Sequence, residues 1–503
     1  MFFADNLSSK SIFDDDNKKI ESKKTKKSKK ILNKIKEEEK TKKTEKTEKD
    51  KTGKKKYMKF VSCLNNEKFI LLFFMIYYFG RIGNNTAFIT QYPMSDKIFQ
   101  LFRMTGAAFF VLSFLRIMKI DFGNGILFRE NRKKISFLLI ITLIISLVAN
   151  MRIQGGYTFL TDILMAYVLA HIPLKKNFEF RTVLFFVICL IIPSLCAVGL
   201  LDNLVTGRGN TVRYALGFDY TTRISGIYGF ATLYYCAMKK FDLEWRDIFM
   251  MVFSSLLIDF LTDTRTYFYL ELAFGIICVF MRFYKIYKKK EKNTLTQRGE
   301  KVVRNEIKTK KYSDGTEKKF IKTRKDKDES FFNTLIKILK HAEKIFVYIF
   351  PAFSVITLAL TLGYGYGGVF LKLDSLLSHR LSQVYADCVN YGIHAFGHNF
   401  ALYGNGGAHV DITSTFGSNF IDSGFLQLLM IRGLVPFVLI VIMAHIALVQ
   451  LYECEMHTEV FIFFTVIVLS TFSSGLMSNE SVLFILMFYG LRLFSTGKMK
   501  KKV

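Results

Sequence analysis

From Phe69 onward, apolar runs of about 15–22 residues follow one another with polar connections between them, and this repetition constrains the fold most. Runs of that length match roughly 30 Å of hydrocarbon when helical. In lipid every backbone N–H and C=O must pair within the protein, so the runs are read as helices. The pattern predicts spans at about 69–89, 98–116, 135–150, 156–171, 182–201, 224–238, 247–262, 266–284, 345–363, 433–452, 458–476 and 481–494. The expected fold class is all-α: a polytopic membrane helical bundle of about 12 spans. A large extracytoplasmic loop separates spans 9 and 10.

The formal charge of +29 is unevenly spread. Residues 1–57 and 285–330 carry +9 each, are lysine-rich and poor in aromatics, and read as disordered soluble segments. Lysine beside spans marks the cytoplasmic side. Twelve spans put both termini there, together with Arg129, Arg132, Lys133 and Lys134, with Lys175, Lys176 and Arg181, and with Lys498 to Lys502. No basic region is interleaved with a stacking platform, so nucleic acid is not an expected partner. No leader peptide is expected, because the first apolar run follows a long lysine tail. The seven cysteines are scattered and suggest neither a disulfide framework nor a zinc site.

The resulting organisation is a lysine-rich tail at 1–57, spans 1–8 over 58–284 and a basic cytoplasmic insert at 285–344. Span 9 (345–363), an extracytoplasmic substrate loop (364–432), spans 10–12 (433–495) and a basic tail (496–503) complete the chain. Within 364–432 the stretch 422–431 is apolar but too short to cross, and is expected to lie at, or dip into, the external surface. The run Thr206-Gly207-Arg208-Gly209-Asn210 reads as a flexible loop.

Arginine on the outer side of a membrane protein calls for a reason. Arg213, Arg223, Arg265 and Arg380 all fall there. A planar guanidinium binds phosphate oxygens in bidentate fashion, so a lipid-linked diphosphate is the suggested ligand. Helix capping, pairing with a neighbouring Asp, or snorkelling to headgroups are the alternatives. His394 and His398 have the i,i+4 spacing of a zinc pair, but the intervening Ala395-Phe396-Gly397 lacks the glutamate of a metallohydrolase and contains a helix-disfavouring glycine. No metal is predicted, and the histidines are read as polar contacts to sugar hydroxyls or as simply exposed. Asp422 has two roles open to it: capping the amides of residues 424 and 425, or acting as a general base toward a hydroxyl. Glu480, in the turn between the last two spans, caps a helix, pairs with an arginine or lines the cavity.

Four stretches resemble the Wzy-type polymerases of O-antigen, capsular and exopolysaccharide synthesis. They are Arg213-Tyr214-Ala215-Leu216-Gly217-Phe218, Thr264-Arg265-Thr266, Leu376 to Phe400, and Ile421 to Leu434. The resemblance covers about residues 60–495 and departs at Asp219-Tyr220, where relatives often carry His-Pro-Asn. It implies a GT-C-like, metal-independent, polyprenyl-dependent glycosyltransferase of the bacterial cytoplasmic membrane, without cofactor, working on the extracytoplasmic side. Donor and acceptor would be oligosaccharides on undecaprenyl diphosphate, with a flippase and a chain-length regulator as companions. On that resemblance Asp422, Arg265 and Arg380 are catalytic, and Arg223, Arg213, His398 and Glu480 bind substrate. The alternatives are an O-antigen-ligase-like transferase and a non-enzymatic flippase of lipid-linked oligosaccharide. No paired halves of similar hydropathy, the mark of many transporters, are visible in the sequence.

Overall fold

The computed structural model describes Leu64 and residues 66–122, 131–153, 155–208, 211–304, 309–311, 317–319, 344–376, 380–399, 421, 423–472 and 482–496. Side chains at 122, 208, 287–304, 309–311, 317–319, 376, 380, 471 and 472 are outside that description. The chain divides after Asn66, and the helical body is the unit from Glu67 onward. The expectations for the 1–57 tail and for 496–503 therefore fall almost wholly outside the described residues.

Among the described residues, twelve helices of 14 residues or more stand over the twelve apolar runs. They are α1 Glu67–Gly83, α2 Met94–Phe122, α3 Asn131–Ala149, α4 Gly156–Leu169, α5 Leu174–Ala197, α6 Arg223–Met238, α7 Trp245–Thr262, α8 Arg265–Arg304, α9 Ile349–Gly363, α12 Leu434–Glu453, α13 His457–Phe472 and α14 Leu483–Thr496. Two shorter helices, α10 Val369–Leu376 and α11 Arg380–Tyr391, lie between α9 and α12. Among the described residues, five segments are long and apolar enough to cross a membrane: Met94–Asp121, Leu174–Ala197, Arg265–Ile286, Ile349–Tyr366 and Leu434–Glu453. Leu190, Phe260, Ile276 and Val355 point away from the protein at 63–83% exposure, a surface suited to acyl chains rather than water. The protein is an all-α membrane protein in its main body.

Small residues set how closely the helices approach. A Cβ on Gly80 would stand 2.6 Å from the carbonyl oxygen of Phe99, and one on Gly106 2.5 Å from Tyr77, so α1 and α2 meet almost backbone to backbone. Gly490 plays the same part for α14, where a Cβ would lie 2.7 Å from Ala447 of α12.

The connections gather in two sets. In the first, the Ala87 amide donates to Gly217 O at 3.0 Å and the Asp219 amide to Asn85 O at 3.0 Å. Arg432 Nη2 donates to Gly155 O at 3.1 Å, and Asn150 Nδ2 donates to Arg432 O at 3.0 Å. The second set joins His171 to Asp121 at 2.9 Å, Arg492 to Ala170 O at 3.5 Å, and Asp242 to Arg282 and Lys285. The first rim collects the connections that the charge pattern assigns to the outside.

Four local expectations change. Residues 423–432 do not lie on the surface: the helical turn Gly424–Gln427 and the π-helical Leu428–Arg432 are buried throughout. Ile421, Leu426, Met430 and Ile431 pack with Val384, and the polar Gln427 is satisfied inside, its Nε2 donating to Ile421 O at 2.7 Å. In the run read as a flexible loop, the described Thr206 to Arg208 belong to a strand: β1 Val205–Arg208 pairs antiparallel with β2 Thr211–Tyr214, in the register Arg208↔Thr211. α8 runs past residue 284 to Arg304, and β3 Thr309–Lys311 pairs with β4 Glu317–Lys319, so part of the stretch read as disordered is regular. Lys, Glu, Gln and Arg are good helix formers, and that propensity carries α8 onward. Arg181 is not a loop charge at all: it is 1% exposed, donating Nε–H to Asn177 Oδ1 at 3.0 Å and lying 4.5 Å from the Phe74 ring centroid.

Candidate functional site

Arg223 and Arg265 occupy the first positions of α6 and α8. A cation at a helix N-terminus is opposed by the helix dipole, and the unpaired amides there favour anions. Each guanidinium is held by one carboxylate: Arg223 Nε lies 3.6 Å from Asp219 Oδ1, and Arg265 Nε 3.3 Å from Asp263 Oδ1. Both pairs engage Nε, and no further protein hydrogen bond or ion pair engages either fork among the described residues. Arg265 is 66% exposed and Arg223 35%. The two helix starts are neighbours, since a Cβ on Gly226 would touch the Tyr267 ring at 3.3 Å.

Thr262 organises this corner. Its hydroxyl donates to Ile258 O at 2.7 Å, so its oxygen accepts from Thr264 Oγ1 at 2.8 Å and from Ser225 Oγ at 3.1 Å. Its carbonyl accepts Nε–H of Arg213 at 2.9 Å. Asp263, at φ +48°, turns the chain and accepts from Thr211 of the hairpin at 3.1 Å. Arg213, Arg223 and Arg265 are therefore brought to one neighbourhood. Arg213 is 8% exposed and bonded to a carbonyl, so it holds the hairpin rather than offering its charge to solvent.

A second focus lies on the same rim, at residues the sequence reading does not single out. Asp162, inside the apolar α4, accepts the Tyr77 hydroxyl at 2.8 Å and lies 3.8 Å from Arg81 Nη2. Arg432, 5% exposed, packs over the Phe159 ring at 5.0 Å. Two arginines face one aspartate here. The sequence signal for it is an acid within a span, which marks function or a buried partner.

The loop after α11 docks against this focus. The Leu434 and Val435 amides, which start α12, donate to His394 O and Ala395 O at 2.9 Å each. Gly397 and Gly433, both at positive φ, meet backbone to backbone at this point. His394 and His398 stack with ring centroids 5.0 Å apart, but in an irregular turn rather than on a helix. Burial and the neighbouring His394 push the His398 imidazole below its ordinary range. Asp374 Oδ1 accepts the Leu381 and Ser382 amides at 2.8 and 3.0 Å, fixing the start of α11. Among the described residues no group of three His, Cys, Asp or Glu is placed to hold a metal.

Of the remaining candidates, Asp422 and Glu480 lie outside the described residues, as does the side chain of Arg380, whose backbone begins α11. Chemically, the rim presents two arginine-containing foci: Arg213, Arg223 and Arg265 with Asp219, Asp259 and Asp263, and Arg81 and Arg432 with Asp162. No protein-family model, curated protein or solved structure matches this chain.

Proposed function

We propose that the chain is a polysaccharide polymerase: a metal-independent glycosyltransferase joining undecaprenyl-diphosphate-linked repeat units into capsular or exopolysaccharide at the outer face of the cytoplasmic membrane. The observation carrying this reading is the convergence of Arg213, Arg223 and Arg265 around Thr262, with Arg223 and Arg265 at the first positions of α6 and α8. In the proposed reaction the acceptor hydroxyl oxygen bonds to the donor's anomeric carbon while the bond to the diphosphate oxygen breaks. Asp422 takes the hydroxyl proton, and Arg223, Arg265 and Arg380 hold the departing diphosphate. Fixed guanidiniums suit this leaving group, whose charge needs stabilisation but no reorganisation. His398 and Glu480 are assigned to sugar contacts, and Arg213 to support of the hairpin.

Purified protein incubated with one lipid-linked repeat unit tests the reading. A ladder of longer lipid-linked products is the expected result. Transfer only to a different acceptor points to the ligase-like alternative. Movement of the lipid across vesicles without any glycosidic bond formed points to a flippase and overturns the enzyme reading.

A further inference from the structure

Between the end of α1 and the connection after α5, the first rim contains a cleft of about 340 Å³. That lies at the lower end of the range for small-molecule sites, about 300–1,000 Å³. Its polar lining is Asn84, Thr86, Thr90, Asp202, Asn203 and Asp219. The Thr86 and Thr90 hydroxyls already donate to Gly83 O at 2.7 Å and Ala87 O at 2.9 Å. Their oxygens, like the two carboxylates, are left to accept hydrogen bonds, and ring hydroxyls can donate to them. Thr86 and the apolar Phe218 are buried at its base, while Asp202 and Asn203 are exposed at its lip. No Lys, Arg or His is among the lining residues. The cation beside the lining is Arg223, whose Nε stands 3.6 Å from Asp219 Oδ1. Asp219 is thereby offset, whereas Asp202 has no ion pair among the described residues.

We infer that this cleft is a glycan subsite for an uncharged or amino-bearing sugar. It receives the sugar beside the diphosphate at Arg223 and rejects an acidic sugar at that position. The inference rests on the proposed diphosphate role of Arg223 and specifies which sugars that site accepts. Asp202 sets the charge preference, because a carboxylate brought to the lip would meet a like charge without a compensating cation. Thr90 bounds the available space.

The test uses the full chain in nanodiscs, with ligand-observed NMR of methyl N-acetylglucosaminide, methyl glucosaminide and methyl glucuronide, and a separate titration with inorganic pyrophosphate. The first two glycosides are expected to bind and the glucuronide not. Asp202→Lys, at the exposed lip, should weaken the glucosaminide by about tenfold or more and admit the glucuronide. Thr90→Trp, which sets an indole at the exposed edge of the cleft, should obstruct entry and remove glycoside binding while pyrophosphate binding and thermal unfolding stay as in the parent. Equal binding of the glucuronide to the parent protein, or unchanged glycoside binding in a folded Thr90→Trp variant, overturns the inference. If the glycosides behave as expected but pyrophosphate does not bind, the diphosphate reading fails and the cleft stands as a sugar site. If pyrophosphate binds but the glycosides do not, the reverse holds.

Discussion

Gly397 and Gly433 touch through their backbones, although 35 residues separate them along the chain. Their φ angles of +72° and +95° lie where a side chain is strained, and a Cβ on either would run into the other's segment. This contact seats the His394–His398 turn on the start of α12. With φ +95° and ψ 169°, Gly433 sits in a region essentially reserved for glycine, and replacing it by Ala is expected to cost about 1–3 kcal/mol from backbone conformation alone, with the clash added. Thermal unfolding in detergent measures it. A Gly433→Ala protein as stable as the parent contradicts the described contact.

Arginines at the rim divide into two kinds. On the proposed polymerase reading, Arg265→Lys and Arg223→Lys should each lower polymerisation by about a hundredfold or more, because an ammonium cannot form the bidentate fork, while membrane insertion is unchanged. Arg380→Lys belongs with them if it too serves the diphosphate. Arg213→Lys should behave differently, loosening the hairpin by about 1–3 kcal/mol as the charged hydrogen bond to Thr262 is lost. Product ladders and unfolding curves on the same four variants separate the two effects.

The Asp162 carboxylate lies among Tyr77, Arg81 and Arg432 in a sparsely hydrated place. Removing one member of a buried charge group leaves the others uncompensated, at about 3–5 kcal/mol. Asp162→Asn should therefore destabilise the bundle strongly, and adding Arg81→Gln should restore part of the loss. A double-mutant cycle on unfolding midpoints reads the coupling. Additive losses would show that Asp162 and Arg81 do not act as a pair.

Burial pushes the Asp387 carboxyl on α11 up to about 6. A carboxyl with a raised folded-state pKa favours the folded protein when protonated, and that contribution is lost as pH rises through the folded value. Acidifying from pH 7.5 to 5 should thus tighten α11 against α9. Asp387→Asn should flatten this dependence and raise stability at pH 7.5. Hydrogen exchange of α11 amides at the two pH values reports it, and an unchanged pH profile in the variant refutes it.

The positions of the long helices are legible in the sequence because lipid imposes one period and one length, and α1 to α9 and α12 to α14 follow the apolar runs. Within these helices, which face turns inward depends on partners distant in the chain. Arg181 looks like a flanking charge in sequence and becomes interior only because Phe74 and Tyr234 supply faces for it. Length alone misplaces the buried 423–432 segment at the surface, although its apolar majority, Phe425, Leu426 and Leu428 to Ile431, points inward. The hairpin strands flank a Gly-Asn dipeptide, a sequence signal for a hairpin that composition alone presents as looseness. The Arg223 and Arg265 corner is visible in sequence as charge at a rim. Its organisation through the hydroxyl and carbonyl of Thr262 is not, because an ordinary threonine at a helix end carries no distinctive pattern.

Arg181 has a consequence for assembly. Its guanidinium stays hydrated until the Phe74 ring from α1 and the Tyr234 ring from α6 have both closed over α5. Neither helix gains the full benefit by arriving alone, since a half-covered cation keeps its water on the open side. Three segments far apart in the chain are thus tied into one cooperative consolidation step, with a single positive charge as the keystone.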